Sequence, residues 1–462
     1  MDTRARRFFD DINGKHITVC GIGVSNRPLI DKLVEHGAIV TACDKNTREQ
    51  LGEITNELEQ KGVKLCLGEN YLDNLDGDII FRTPGMKYYL PQLQQARKRG
   101  AVVTSEMEVF FAMCAARIIA VTGSDGKTTT TTIIAKLLEK QGHKVWTGGN
   151  IGKPLLPCVQ NISPQDFAVV ELSSFQLISM RQSPHIAVVT NVAPNHLDIH
   201  KDMQEYVDAK KNILLHQDGF GIAVLNEDND IANSFAQCTR GKVETFSRRH
   251  EVDMGAWCDE NGDIYYKENG NKFFIMNKDE IKIPGDHNVE NYLAAICAVW
   301  KYVDISTIRA VAQEFGGVEH RIELVRELDG VKYYNDSIAS SPSRTIAGLK
   351  ALNTRVILIA GGYDKNIPFD ELGEIAAQYV KTLILLGKTA PKIENAVKTA
   401  KNYSPENIRI IHAENMLDAV NKAKENAMPG DIVTMSPACA SFDMYKNFAE
   451  RGKHFKELVN SL

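Results

Sequence analysis

The sequence predicts an α/β protein of three domains in series, and three observations lead there. The chain has 462 residues, more than the roughly 250–300 that one hydrophobic core organises, and roughly 150 residues per domain gives about three. Strand-length apolar runs alternate with helical patterns from end to end. Two of the strands run directly into glycine-rich turns that open helices.

The elements follow in order. From Lys15 the run KHITVCGIGVSN meets glycines, a helical pattern of Leu29, Ile30, Leu33 and Val34 comes next, and a second strand over 38–42 leads to Asp44. That is a β-α-β unit. Strand-like runs at 77–81 and 101–104 complete a small doubly wound, Rossmann-like sheet, so the first domain is expected over 1–104. The second begins with a strand over 117–121, which passes into TGSDGKTTTTT and a helix through Lys140. Strands at 167–172, 186–192 and 221–225 follow. This predicts a central domain of phosphate-loop ATPase type with a parallel sheet, over 105–317. Past Phe315-Gly316-Gly317, strands at 331–335, 356–360, 382–386, 408–411 and 431–435 alternate with helices. They predict a C-terminal Rossmann-like domain over 318–462.

Composition narrows the function. Hydrophobic residues make up 43%, charged residues 24% and aromatic residues 7%, enough to build ordinary cores and outside the disordered and low-complexity classes. With 54 basic and 59 acidic residues the net charge is −5, so nucleic acid is not an expected partner. No apolar run reaches the roughly 18–20 residues that span a bilayer. Residues 1–18 mix Arg4, Arg6 and Arg7 with Asp2, Asp10 and Asp11, unlike a secretory signal. Nine cysteines are scattered without CxxC spacing, and they read as reduced, mostly buried thiols of a cytoplasmic protein with no membrane partner.

The strongest motif is Gly123-Ser124-Asp125-Gly126-Lys127-Thr128-Thr129, after a strand and opening a helix. In that setting backbone N–H groups and the helix N-terminus cradle phosphate oxygens, Lys127 neutralises the outer phosphates, and the Thr128 hydroxyl ligates Mg²⁺. ATP binding is the functional reading, and a glycine-rich turn with an exposed lysine is the plain one. Val121 stands where the longer G-x-x-x-x-G-K-[ST] loop has its first glycine.

A weaker motif is Gly21-x-Gly23-x-x-Asn26, with Asp44 at the end of the next strand. Asn26 replaces the third glycine of the dinucleotide fingerprint, which argues against a redox cofactor. The turn still suits a diphosphate, with Asp44 accepting hydrogen bonds from a nucleotide's sugar or base, and a purely structural turn explains these residues equally well. Glu171, at a strand end in ELSSFQ, is a sensible Mg²⁺ ligand beside a phosphate loop, because hard cations take oxygen ligands. His196 in NHLDIH reads, taken alone, as a hydrogen-bonded histidine. Cys439 in SPACASFD has no base at catalytic spacing and reads as a buried small residue.

Taken together and in this order, the motifs resemble the Mur ligases. They are TGSDGKTT at 122–129, GGNIG at 148–152, ELSSFQL at 171–177, NVAPNHLDIH at 191–200, AKKNIL at 209–214, GDHNVEN at 285–291, HRIE at 320–323, NDSIAS at 335–340, GGYDK at 361–365 and SPACASFDMYKNFAERG at 436–452. ELSSFQL and SPACASFD resemble the D-glutamate-adding branch. The resemblance implies a cytoplasmic, ATP-consuming ligase of peptidoglycan synthesis that joins D-glutamate to UDP-N-acetylmuramoyl-L-alanine and acts as a monomer. It implies ATP contacts at residues 123–129, Asn288, Asn291, Arg321 and Asp336. Mg²⁺ ligands are implied at Thr128, Glu171 and His196, and a carbamylated lysine at Lys210, with neighbouring Lys211 as its rival. Val24, Ser25, Asp44, Thr83 and Asn150 fall on UDP-substrate positions. Ser340, Lys365, Ser441 and the main chain at Phe448 fall on D-glutamate positions. Lys127, His196 and Lys210 would carry catalysis.

Four positions depart from the pattern that the resemblance sets: Asp125 for Asn, Asn195 for Asp, Ser340 for Thr, and Ile338 for a lysine, with Arg344 the candidate replacement cation. Two other readings stand beside the main one. Another amide-forming ligase of the superfamily is opposed by SPACASFD. A nucleotide-binding regulator without ligase turnover is motivated by Ile338 and Asp125. In SPACASFDMYKNF, Ser441 and Phe448 are seven residues apart, a spacing that would put both on one helical face.

Overall fold

The computed structural model describes residues 3–23, 26–73, 75–194, 200–364 and 367–462. It carries three sheets in two compact units, Met1–Glu280 with His287–Val311, and Ile281–Asp286 with Ala312–Leu462.

The first unit holds two sheets. Strands β1 (His16–Cys20), β2 (Ile39–Asp44), β3 (Lys64–Leu67), β4 (Ile79–Phe81) and β5 (Val102–Thr104) form a parallel sheet in the order β3-β2-β1-β4-β5. Nine more strands follow: β6 (Arg117–Thr122), β7 (Val145–Gly149), β8 (Phe167–Glu171), β9 (Ile186–Val189), β10 (Ile222–Asn226), β11 (Lys242–Ser247), β12 (Gly255–Cys258), β13 (Asp263–Glu268) and β14 (Asn271–Asn277). Their order is β14-β13-β12-β11-β10-β9-β6-β8-β7, parallel from β7 to β12 and antiparallel beyond. The middle strands β8 and β9 are buried along their whole length, which is why FAVVE and IAVV read as continuous apolar runs. One apolar core joins the two sheets, running from Phe9 and Leu29 through Phe110 to Leu156, Leu177 and Leu225.

The second unit holds β15 (Glu323–Leu328), β16 (Val331–Asn335), β17 (Val356–Ala360), β18 (Val380–Leu385), β19 (Arg409–His412) and β20 (Ile432–Met435), in the order β15-β16-β20-β17-β18-β19. β15 and β16 form an antiparallel hairpin and the other pairings are parallel. Two apolar layers cover its faces, one around Leu358 and Leu372 and the other around Ile359 and Phe455.

The predicted α/β class and parallel sheets are present, and β16 and β17 have the predicted bounds. Seven strands were not anticipated. β3 and β15 are half-exposed edges, β7 ends in the glycines of VWTGG, and β11–β14 are short stretches in which apolar runs do not exceed four residues. β9 stops three residues before the predicted end at Val192, because the chain turns there to meet the phosphate loop. Among the described residues no helix is long and apolar enough to cross a membrane.

Candidate functional site: a phosphate loop, a cleft and a serine-lined turn

The centre of the first unit is built where β6 ends. Gly123 adopts φ 156°, and a Cβ there would fall 1.9 Å from the Thr190 hydroxyl. Gly126 adopts φ 78°, and a Cβ there would fall 2.4 Å from Asn291 Oδ1. Any side chain at either position would displace a neighbour, so the loop requires glycine. The helix Lys127–Gln141 starts immediately after, and its first N–H groups lack intrahelical carbonyls. In the loop before it, the N–H groups of Ser124 and Asp125 donate to Asn191 Oδ1 at 3.1 and 2.9 Å.

Four predicted residues converge on this loop. Lys127 Nζ donates to the carbonyls of Gly123 and Ser124, both at 2.9 Å. The Thr128 hydroxyl donates to Glu171 Oε2 at 2.6 Å, and Asn150 Nδ2 donates to Glu171 Oε1 at 2.8 Å. Glu171 is buried, so the Thr128 hydroxyl and the Glu171 carboxylate form a pair of hard oxygen donors at the helix start, the chemistry Mg²⁺ prefers, with Asn150 holding the other carboxylate oxygen. Asn150 therefore sits with the phosphate-loop residues. Asn288 and Asn291 lie one turn apart on the helix Asp286–Val299, buried and bonded to each other at 3.0 Å, with Asn291 accepting from Thr130 at 3.1 Å.

Lys210 lies on the helix Met203–Leu215, 1% exposed. Its Nζ donates to the Gly123 carbonyl at 2.8 Å and Thr122 Oγ1 at 3.3 Å, 4.7 Å from the Tyr206 ring centre. Burial first, and then the neighbouring Lys127 charge, pushes its pKa down to about 7. Lys211, the rival, pairs with Asp208 at 3.0 Å. His196 lies outside the described residues.

The N-terminal turn is also assembled. β1 and β4 are neighbours, the place where strand order reverses and open parallel sheets take ligands. Gly21, at φ 94°, lies against Thr83, whose Cβ would be 3.3 Å from a Cβ on the glycine. Asn26, in place of the third glycine, ties the turn together, its amide donating to the carbonyls of Cys20 and Gly21 at 3.2 and 3.0 Å. Asp44 accepts from the N–H of Ile22 at 2.6 Å and of Asn46 at 2.8 Å, so both of its oxygens already hold the turn. Val24 and Ser25 lie outside the described residues. Between the segment that follows Thr83 and the turn that follows Glu171 opens a cavity of about 350 Å³, lined by Met86, Tyr88, Tyr89, Phe175, Ile178 and His200 among others.

In the second unit, Asp336 is buried and accepts from Ser436 Oγ at 2.7 Å and from the Ile322 N–H at 3.2 Å. Burial pushes its pKa up to about 7. Arg321 stands between His320 and Ile322, both left-handed at φ 64° and 42°, and the β-branched Ile322 makes this a strained spot. Ser340 Oγ donates to the Ile338 carbonyl at 3.3 Å, and Arg344 Nη1 donates to the same carbonyl at 3.1 Å. The guanidinium thus sits on the turn where Ile338 provides no charge. Ser441 is buried in a turn whose N–H groups at Met444 and Tyr445 bond to its carbonyl.

The expectation that Ser441 and Phe448 share a helical face is corrected. The helix begins only at Phe448, because Asn447 caps it by accepting from the Glu450 N–H at 2.9 Å. Lys365 lies outside the described residues. Cys439 is the buried residue expected, 3.1 Å from the Thr389 hydroxyl, and burial pushes its pKa up to about 11.

Two residues that matter were not singled out from the sequence. Asn191 orders the phosphate loop through backbone donors, a role no spacing rule signals. Tyr206 joins the loop to the lysine helix, its hydroxyl 2.9 Å from Ser124 Oγ and its ring beneath Lys210.

Residues 121–299 match the Mur ligase middle domain and residues 320–439 the Mur ligase glutamate ligase domain. The chain is 53% identical over 456 residues to the UDP-N-acetylmuramoylalanine--D-glutamate ligase of Clostridium beijerinckii, covering 98% of each chain. It is 52% identical over 465 residues to the enzyme of that name from Acetivibrio thermocellus, covering all of both chains. Among solved structures, the UDP-N-acetylmuramate-alanine ligase of Thermotoga maritima aligns at a TM-score of 0.58 with 17% identity, over 97% of this chain and 99% of the other, a likeness of fold. With both domain models matched and about half of all positions shared with such relatives, the chain belongs to the Mur ligase family.

Proposed function

We propose that this chain joins D-glutamate to UDP-N-acetylmuramoyl-L-alanine at the expense of ATP, releasing ADP and phosphate, in the assembly of peptidoglycan precursors. The observation that carries the reading is the convergence of Lys127, Thr128, Glu171 and Lys210 on one glycine loop. The relatives' names supply the substrates.

A carboxylate does not condense with an amine at neutral pH. The terminal carboxylate of the UDP-linked substrate attacks the γ-phosphorus of ATP, ADP leaves, and an acyl phosphate forms. The D-glutamate amine, having lost a proton, adds to the acyl carbon. The tetrahedral intermediate then expels phosphate. Negative charge gathers at both steps, so the protein's contribution is positioning and cations. Lys127 and the helix N-terminus hold the outer phosphates. Thr128 and Glu171 with His196 would hold Mg²⁺, which would supply positive charge beside the phosphates.

Lys210 fits the carbamylation reading. Its burial favours the neutral amine, which adds CO₂ and loses a proton to become an anionic oxygen donor. Residues 1–104 bind the UDP end through Val24, Ser25, Asp44 and Thr83, residues 105–317 hold ATP, and residues 318–462 bind the amino acid. In that last part Arg321 and Asp336 serve the nucleotide. Ser340, Lys365, Ser441 and the Phe448 backbone hold D-glutamate, with Arg344 supplying charge beside Ile338. The enzyme acts as a cytoplasmic monomer.

ADP release tests this reading, together with the mass of the product. Release should require both UDP-N-acetylmuramoyl-L-alanine and D-glutamate, and the product should gain one glutamyl residue. ATP binding without release dependent on both substrates would favour the regulator. Lys365→Ala should raise the KM for D-glutamate about ten- to a hundredfold, the loss of one charged hydrogen bond, and leave that for ATP nearly unchanged.

A further inference from the structure

The helix Phe448–Ser461 carries an arginine that the reaction scheme above does not use. Arg451 is 1% exposed. A guanidinium keeps its charge at neutral pH and offers five N–H donors in a rigid fork, and burying it without a counter-charge is unfavourable. No described carboxylate pairs with it. Its Nε donates to Ser337 Oγ at 3.0 Å, Nη2 to the Ser337 carbonyl at 2.8 Å and Nη1 to the Cys439 carbonyl at 3.0 Å. Asp443 and Asp336 act on it only at longer range.

These contacts join two stretches of chain far apart in sequence. Ser337 belongs to the turn that carries Ser340, and Cys439 lies two residues before Ser441. Ser337 Oγ passes the connection on by donating to the Phe448 carbonyl at 2.7 Å. The glycine turn before Tyr363 reaches the same place. A Cβ on Gly362 would fall 2.4 Å from the Ala440 carbonyl and 3.5 Å from Arg451 Nη1, so that backbone packs directly against the junction. Three segments that present short polar side chains and backbone thus meet at one buried cation.

We propose that Arg451 is a positioning residue for the amino-acid substrate, clamping the 335–340 and 436–441 segments together and favouring a ligand with a second carboxylate through its unpaired buried charge. This rests on the D-glutamate reading and extends it to a residue that need not touch the substrate. The fork sets the distance between Ser340 and Ser441, and the charge lowers the cost of bringing an anion to a site where Ile338 supplies none.

The experiment measures KM for D-glutamate and for ATP, kcat and the melting temperature in R451K, R451M and S337A beside the unmodified protein. R451M should raise the KM for D-glutamate about thirtyfold or more. R451K, which keeps the charge and loses the fork, and S337A, which keeps the arginine and loses one partner, should each raise it about five- to tenfold. The KM for ATP should stay within about twofold in all three. If R451M does not fold, the other two carry the test. A D-glutamate KM within about twofold of the unmodified value in both R451K and S337A would overturn the proposal. A parallel rise in both KM values with a fall in melting temperature would do the same, since a merely structural role predicts that pattern. If the unmodified protein does not use D-glutamate, the functional reading falls and this one with it. If it does and the variants match it, this one falls alone.

Discussion

The first unit contains two glycine turns of the same design, each closing a parallel strand and opening a helix, yet they differ in which polar groups are spent on the backbone. At the N-terminal turn the side chains face inward onto the backbone. Asn26 caps the carbonyls of Cys20 and Gly21, and Asp44 holds the N–H groups of Ile22 and Asn46. At the phosphate loop Asn191 and Thr190 order the backbone from outside and Lys127 holds two loop carbonyls, while the Thr128 hydroxyl and Glu171 carboxylate pair with each other at the helix start. A turn that only binds a diphosphate works with helix N–H groups and a fixed shape. A turn that moves a phosphoryl group needs cations and oxygen donors held where charge develops. The two turns share one scaffold and differ in the polar side chains placed around it.

That contrast can be broken at either turn. The largest effect should come from Lys127→Ala, which should lower turnover by about a thousandfold or more, comparable with losing a donor to the transition state. Binding of the UDP-linked substrate, measured by calorimetry, should stay within about twofold. Retained phosphate release would show that the loop does not carry the chemistry.

Next in size is Lys210→Ala, expected to lower activity by about a hundredfold. Acetate or another short carboxylate should restore part of it, while Lys211→Ala should be nearly silent. The pH dependence follows from the lysine's depressed pKa. The neutral amine that takes up CO₂ predominates above about 7, so activity at fixed dissolved CO₂ should rise between pH 6 and 8, and stripping CO₂ should reduce it. Loss with Lys211→Ala and none with Lys210→Ala would reverse the assignment.

At the other turn, Asp44→Ala should raise the KM for the UDP-linked substrate by about tenfold or more, through two freed backbone donors. Turnover at saturation should be little changed. The smallest effect belongs to Asn26→Gly, which loses two amide hydrogen bonds and should cost about 1–2 kcal/mol of stability, read as a lower melting temperature with normal turnover.

The two turns also differ in how readable they were. The phosphate loop was legible as a strand-to-helix turn because its glycines, lysine and threonine follow a residue pattern, and Lys210 was singled out through the resemblance of AKKNIL. The geometry added why that lysine titrates low: it is buried against the Gly123 carbonyl, with Lys127 close by. The N-terminal turn was ambiguous because Asn26 and Asp44 act on backbone atoms, which no residue pattern announces. Asn191 escaped notice for the same reason.

The fold shows the same division. Buried parallel strands such as β8 and β17 declare themselves as apolar runs. In the β13–β14 hairpin short apolar runs, Ile264–Tyr266 and Phe273–Met276, are flanked by polar residues, and the hairpin appears only when the strands pair. Ser441 and Phe448 were placed on one helix by spacing alone, and the cap at Asn447 decided otherwise. Arg451 was invisible because an arginine in a helix is usually solvated. Only the fold shows that its three bonds are all to one junction.

The most direct test of the central claim, that the phosphate loop activates a carboxylate as an acyl phosphate, is the fate of carboxylate oxygen. UDP-N-acetylmuramoyl-L-alanine labelled with ¹⁸O in its terminal carboxylate would be incubated with ATP, Mg²⁺ and D-glutamate, and the released phosphate weighed by mass spectrometry. The account predicts one ¹⁸O in each phosphate formed, because the oxygen that attacks the γ-phosphorus leaves with it. Unlabelled phosphate accompanying a normal glutamyl product would contradict it.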